Sequence, residues 1–242
     1  MVKKILIIVG SLIIGLFGGY LIFANLNKAN IEEPLPKPEL EEGLRGKYGI
    51  DKNINEKTID NYLNRTDTVY RDVRMLVDSA TWENKGGDRY LSGYIKGFEV
   101  IPSVYLTGFT DEYIEQKRKE NVSGLYTGKT LFTLNDDGKT YSANYEESMD
   151  ILETIFPKNK NIFIMCGAGG YAGQIKDMLI ALGWDKNKIY NAGGYWYYEG
   201  NNSVKVKEHR NEKDYYNFGK VPYYNIDFDI LNEVKKWKTK NG

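Results

Sequence analysis

The sequence predicts an α/β protein with a central, mainly parallel sheet, helices on both faces, and a transmembrane helix at the N-terminus. Three observations predict it. Asn161-Ile162-Phe163-Ile164-Met165 is an apolar run that ends in Cys166-Gly167-Ala168-Gly169-Gly170-Tyr171 and passes into a helical pattern reaching Gly183, which reads as strand, tight loop, helix. Ile189-Tyr190 forms another strand before Asn191-Ala192-Gly193-Gly194, and strands alternating with helices build parallel sheets covered on both sides. At the other end, Lys3 and Lys4 precede an uncharged run from Ile5 to Phe23, long enough at the helical rise to nearly span a hydrocarbon core.

That first run sets the organisation of the chain. A buried core helix would carry a polar face, and this run has none. A cleavable signal has a shorter apolar core and a small-x-small site, which Phe23-Ala24-Asn25 matches poorly, so an uncleaved anchor is favoured and secretion after cleavage is the alternative. No cysteine directly follows the run, which excludes a lipid-bearing cysteine. The positive flank stays in the cytoplasm, giving a single-pass cell-membrane protein whose C-terminal domain is extracytoplasmic. Residues 1–24 are thus the anchor or signal segment. Residues 25–55, with Glu32-Glu33-Pro34-Leu35-Pro36-Lys37-Pro38, form an extended linker, and 56–242 form the domain, with its core at about 75–200 and a C-terminal extension.

Composition removes several function classes. The 33 basic side chains balance 33 acidic ones, so there is no basic surplus to attract nucleic acid. One cysteine cannot form an intramolecular disulfide, and with one histidine, His209, it cannot furnish an ordinary His/Cys metal site; no metal is expected. Asp136-Asp137-Gly138 is too short for a calcium loop and reads as a turn. Twenty tyrosines argue for no particular ligand.

Between anchor and cysteine the remaining elements follow from pattern. Glu56 to Leu63 suits a short amphipathic helix, and Arg74 to Val77 supplies a buried strand ending at Asp78, the first of the core sheet. Glu83 to Asp88 is turn-rich, and Val100 to Leu106 alternates as a strand with Pro102 near its start. Asp111 to Asn121 is helical. Leu131 to Ser142 reads as a hairpin about Asn135-Asp136-Asp137-Gly138, and Tyr145 to Phe156 as a helix stopped by Pro157. Beyond Gly200 come a charged stretch from Val204 to Lys213, a strand-like Tyr223 to Phe228, and a final helix through Trp237.

The chemistry concentrates at Cys166. A lone cysteine ordinarily serves as a small buried hydrophobe. A packing role, however, needs no Gly167, Gly169 and Gly170 directly after it, whereas a loop that wraps its amides around an anionic sulfur does. At a strand's carboxyl end and before a helix, amides and macrodipole both favour thiolate, so Cys166 is expected to titrate below an ordinary thiol.

The segment from Ile162 to Tyr198 resembles the C-terminal half of a rhodanese-like domain, in which an apolar strand ends in the catalytic cysteine. Tyr190-Asn191-Ala192-Gly193-Gly194 with Trp196 is similar to that family's later strand, paired glycines and aromatic. Met75-Leu76-Val77-Asp78 resembles its first strand with a terminal Asp, and Gly93-Tyr94-Ile95-Lys96-Gly97 its Gly-His-Ile-Pro-Gly element, with Tyr94 and Lys96 as departures. The likeness covers about Met75 to Gly200, with Leu125 to Ala143 as an insertion. It implies a sulfurtransferase: Cys166 attacks a donor such as thiosulfate, holds the outer sulfur as a persulfide and passes it to a nucleophilic acceptor. Gly167, Ala168, Gly169, Gly170 and Tyr171 would form the cradle, with Asp78 and Arg74 beside it. The partners would be a small sulfur-containing anion or a thiol acceptor, and the membrane through the N-terminal helix; no metal or organic cofactor is called for. Members of this family often hold Arg or Lys in the loop, and Gly167 to Tyr171 contains neither. The alternative is an inactive rhodanese-fold module that binds a partner or small anion at the cell surface, with any cation drawn from Arg71, Arg74, Lys96 or Lys176.

Other motifs fall away. The related phosphatase loop needs Arg at the sixth position after the cysteine, where this chain has Ala172, which removes the bidentate clamp on phosphate. Ser123 to Thr130 nearly spells a phosphate-binding loop, but its first glycine is displaced and no buried strand precedes it. His209 lies in a charged stretch without a catalytic partner pattern.

Overall fold

The computed structural model describes residues 33–41, 47–74, 93–120, 126, 128–205, 207–216 and 221–235. The apolar run Ile5–Phe23, the stretch Met75–Asp78 with its Asp78, the turn-rich Glu83–Asp88 and the last residues of the expected terminal helix lie outside these. Among the described residues no helix is long and apolar enough to cross a membrane.

In chain order the strands are β1 (Leu40–Glu41), β2 (Ile50–Asp51), β3 (Thr68–Asp72), β4 (Gly93–Ile95), β5 (Glu99–Val100), β6 (Thr107–Phe109), β7 (Phe132–Leu134), β8 (Tyr141–Ala143), β9 (Asn161–Cys166), β10 (Ile189–Gly194), β11 (Ser203–Lys205), β12 (Lys207–Arg210) and β13 (Lys213–Tyr216). The helices are α1 (Ser103–Leu106), α2 (Asp111–Lys119), α3 (Ser148–Ile155) and α4 (Gly170–Ala181). Four strands form the central sheet in the order β10-β9-β3-β5, and every pairing in it is parallel. The mixed α/β class with a mainly parallel sheet is thus as the sequence predicts.

Burial on both faces explains the composition of β9, where Ile162, Phe163, Ile164, Met165 and Cys166 are all buried. Ile162, Ile164 and Cys166 join one core cluster with Leu152 and Ile155 of α3 and Ala172, Ile175, Met178 and Leu179 of α4. The opposite parity gives an aromatic row. Phe163 meets Tyr70 and Tyr190 edge to face at 5.4 and 5.0 Å, and such pairs add about 0.5–1.5 kcal/mol each beyond area burial. Against this row sits a 3-10 turn, Ile59–Tyr62, whose Tyr62 carbonyl accepts from the Tyr70 hydroxyl.

Register places the ends of β3 and β9 side by side: Tyr70 pairs with Phe163, and Asp72 with Met165. Two ionisable side chains are buried on β3 and both are satisfied. Arg71 donates to the Ile155 carbonyl and to Glu99, and Asp72 holds Arg74. The expected hairpin is present as β7 and β8, antiparallel, extended by β6 into a three-stranded sheet.

Several elements depart from the sequence reading. Thr68–Asp72 is a strand of the sheet that the sequence reading did not assign, and it ends in the acid Asp72; of the expected strand Arg74–Val77, Arg74 lies in a bend and the rest is outside the described residues. Only Ile59–Tyr62 of the expected helix Glu56–Leu63 is helical, as a 3-10 turn. Val100–Leu106 is not one strand, because Pro102 has no N–H for a ladder and instead caps α1. Tyr223–Phe228 is not a strand; Tyr223 bridges Val100 alone, and Phe228–Ile230 is a 3-10 turn. Leu231 to Lys235 is not helical. The compact unit that holds the sheet begins at Pro36, so part of the expected linker packs: Ile50, Asp51 and Ile54 are buried and the Tyr190 hydroxyl donates to the Pro36 carbonyl.

Candidate functional site

Cys166 ends β9 with 2 % of its surface exposed. The chain then turns through Gly167 and Ala168 to Gly169, which takes φ +102°, a left-handed conformation that costs a side-chain-bearing residue about 1–2 kcal/mol. This turn brings the Gly169 N–H to Sγ at 3.0 Å. The amides of Ala168 and Ala172 also stabilise negative charge on the sulfur, and Ala172 lies in the first turn of α4. The sulfur thus sits among main-chain donors at the start of a helix; of the expected cradle Gly167–Tyr171 the amides of Ala168 and Gly169 act on it, joined by that of Ala172.

The electrostatic outcome is the reverse of the sequence expectation. Burial pushes the Cys166 thiol above its ordinary value; the Ala172, Gly169 and Ala168 amides pull it down, and the Asp72 carboxylate pushes it up further. Removing a thiolate from water outweighs the three amides, and the charged group that acts on the sulfur among the described residues is Asp72, an anion.

The basic side chains singled out in the sequence are placed elsewhere. Arg74 is buried and donates through Nε to both carboxylate oxygens of Asp72, at 2.9 and 3.0 Å, and through Nη2 to the Gly93 carbonyl at 2.9 Å. Its guanidinium also lies over the Tyr195 ring, 4.5 Å from the centroid. Arg71 is committed to Glu99 and Ile155. Lys176 is buried on α4, and that burial lowers its pKa while Asp51, on the strand β2, raises it. Lys96 is exposed in the turn after β4. Tyr171, the second residue of α4, is 60 % exposed, and the amides that act on the sulfur are those of Ala168, Gly169 and Ala172.

The mouth of the loop is aromatic. A Cβ on Gly167 would stand 2.6 Å from Cζ2 of Trp196, so the indole rests directly on the residue after the cysteine, and the main-chain N–H of Trp196 donates to the Gly167 carbonyl at 3.1 Å. Trp196 and Tyr197 are each 47 % exposed. The paired glycines close the other side. Gly194 faces Cys166 in register, and any side chain on it would collide with the Gly167 carbonyl and the Ala168 Cα.

Two residues of this surround escaped the sequence reading. Asn191, fully buried, donates to the carbonyls of Gly49 and Gly169 and accepts from the Gly193 N–H. Glu56, also buried, accepts from the Gly194 N–H at 3.2 Å. A lone Asn inside the apolar strand Ile189–Ala192 was the available signal for the first; Glu56 gave none, because its partner lies far along the chain.

Among the described residues no group of His, Cys, Asp and Glu could hold a metal ion. His209 lies on β12 opposite Asp214. A cavity of about 580 Å³ lies between the β6–β8 sheet and the C-terminal segment, lined by Phe109, Tyr126, Lys129, Tyr145 and Glu233 among others. No residue of the cysteine loop lines it. Comparison with protein-family models, with curated proteins and with solved structures finds no match to this chain in any of the three.

Proposed function

We propose that this protein is a rhodanese-like sulfurtransferase that carries sulfane sulfur on Cys166. The observation that carries the reading is the Gly169 N–H directed at Sγ from 3.0 Å, in a loop between the end of a parallel strand and the start of a helix. Support also comes from Asp72, an acid that ends the neighbouring strand in the way the resemblance expected of Asp78, which lies outside the described residues, and from the paired glycines packed on the loop.

In the first step the Cys166 proton goes to solvent and the thiolate attacks the outer sulfur of a donor such as thiosulfate. The donor's S–S bond breaks and its electron pair leaves with sulfite. The sulfur stays on Cys166 as a persulfide, whose charge the amides of Ala168, Gly169 and Ala172 stabilise. In the second step an acceptor thiolate or cyanide attacks the terminal sulfur and the Cys166 thiolate departs. The high thiol pKa makes the thiolate scarce at neutral pH but a strong nucleophile once formed. Sulfur transfer therefore rises with pH. Thiosulfate-to-cyanide transfer by the purified protein, lost in Cys166→Ser, is the test; equal rates in both proteins would refute the reading.

The location belongs to the same proposal. Lys3 and Lys4 ahead of Ile5–Phe23 put the domain outside the cytoplasmic membrane. Protease added to intact cells should digest it, and protection until lysis would contradict the placement.

A second reading is favoured by one observation, the burial of the thiol in a site where the buried guanidinium is neutralised by Asp72. Under that reading the domain is a rhodanese-fold binding module whose loop no longer transfers sulfur, and the cyanide assay separates the two.

A further inference from the structure

The N-terminal stretch from Tyr48 to Glu56 lies directly behind the cysteine loop. Asn191 joins them. Its Nδ2 donates to the Gly49 carbonyl at 2.6 Å and to the Gly169 carbonyl at 2.9 Å, and its Oδ1 accepts from Gly193 at 3.1 Å. Gly169 is therefore held from two directions, since its carbonyl also receives the first helical bond of α4 from Gly173 at 3.0 Å. The N–H of the same residue is the one that meets the sulfur.

Apolar contact reinforces the connection. Cγ1 of Ile50 would lie 3.4 Å from a Cβ on Gly169, and its Cγ2 3.3 Å from one on Gly193. The side chain of Tyr48 fills the space beside Gly173, where any Cβ would overlap it, and the Glu56 carboxylate does the same at Gly193. A left-handed glycine has many other conformations open to it, so the amide stays aimed only while its neighbours hold it.

We propose that Asn191 is a positioning residue for Cys166, and that through it the strap Tyr48–Glu56 is a working part of the cysteine site. The role rests on Cys166 being the reacting group, as proposed above. Asn191 touches no sulfur itself. It fixes the Gly169 carbonyl, one side of the Cα whose other side carries the N–H aimed at Sγ, and so limits the rotation of Gly169 that would swing that N–H away, while the strap supplies the second anchor of Asn191.

The test is the pH dependence of Cys166 alkylation by iodoacetamide in the full-length protein, which needs no sulfur donor. Asn191→Leu removes the hydrogen bonds without adding charge, and Ile50→Ala loosens the strap while leaving Asn191 intact. Both should move the alkylation midpoint upward by about one pH unit, which slows alkylation at pH 8 by about tenfold. Leu152→Ala, on α3, is the control for loss of stability alone, and its midpoint should match wild type. Should Asn191→Leu fail to fold, Ile50→Ala decides the matter. An unmoved midpoint in the folded variants, or an equal shift in Leu152→Ala, overturns the proposal. A wild-type protein that never takes up sulfur would refute the transfer reading and leave the alkylation result standing.

Discussion

Asp72 and Arg74 form a buried pair at the end of β3, each side chain 1 % exposed, with Nε of Arg74 shared between both oxygens of Asp72. Of this pair it is Asp72 that acts on Cys166, adding to the larger effect of burial in pushing the thiol up, and the Arg74 guanidinium is held by Asp72.

Asp72→Asn should therefore lower the Cys166 pKa, because it removes a negative charge that pushes the thiol up. Alkylation at pH 7 should accelerate by about threefold to tenfold. Stability should fall by about 3–5 kcal/mol, the cost of leaving one buried charge without its partner. A folded variant with an unchanged alkylation rate would show that the pair does not control the thiol.

The raised thiol pKa has a signature in stability. The folded state holds the Cys166 proton more tightly than the unfolded chain, so this group's contribution is complete below the ordinary thiol value and is lost as pH rises through the folded one. Each unit of difference contributes about 1.4 kcal/mol. Urea unfolding of wild type and Cys166→Ser between pH 7 and 10 should show the wild type losing stability faster. Parallel curves would contradict the shift.

The geometry of the cradle can be probed at a single Cα. Gly169→Ala forces a methyl group onto a residue at φ +102°, at a cost of about 1–2 kcal/mol, and turns the amide away from the sulfur. Sulfur loading should fall about tenfold, the loss of roughly one charge-assisted hydrogen bond. Gly97→Ala is the matched control, with φ +94° and open space around it: it should lose similar stability without affecting the thiol. Equal loading in the two variants would separate the amide from the chemistry.

The most legible part of the sequence was the run Asn161 to Ala181, where an all-apolar strand, a glycine loop and a helical period each point the same way. The hairpin at Asn135 to Gly138 was legible for the same reason. By contrast, β3 was missed because Thr68, Arg71 and Asp72 are buried polar residues whose partners, Glu99, Ile155 and Arg74, satisfy them only in the folded chain. Preference for the more apolar stretch after Arg74 followed from that. The strap up to residue 55 was read as linker, and Glu56 as the start of a helix, since their contacts are with Gly169, Gly173 and Gly193, far along the sequence. The thiol pKa was misjudged because local pattern reveals the amides but not the depth of burial. Asp72 comes beside Met165, and the indole of Trp196 onto Gly167, through sheet register and long-range packing, which short-range pattern does not encode.

Intact-protein mass spectrometry after incubation with thiosulfate tests sulfur transfer most directly. Wild type should gain one sulfur atom on Cys166, more fully at pH 9 than at pH 7, and should lose it to cyanide or a reductant, while Cys166→Ser gains none. A wild-type protein whose mass never changes over that pH range, although its thiol alkylates, would contradict the sulfurtransferase reading and leave a binding module in its place.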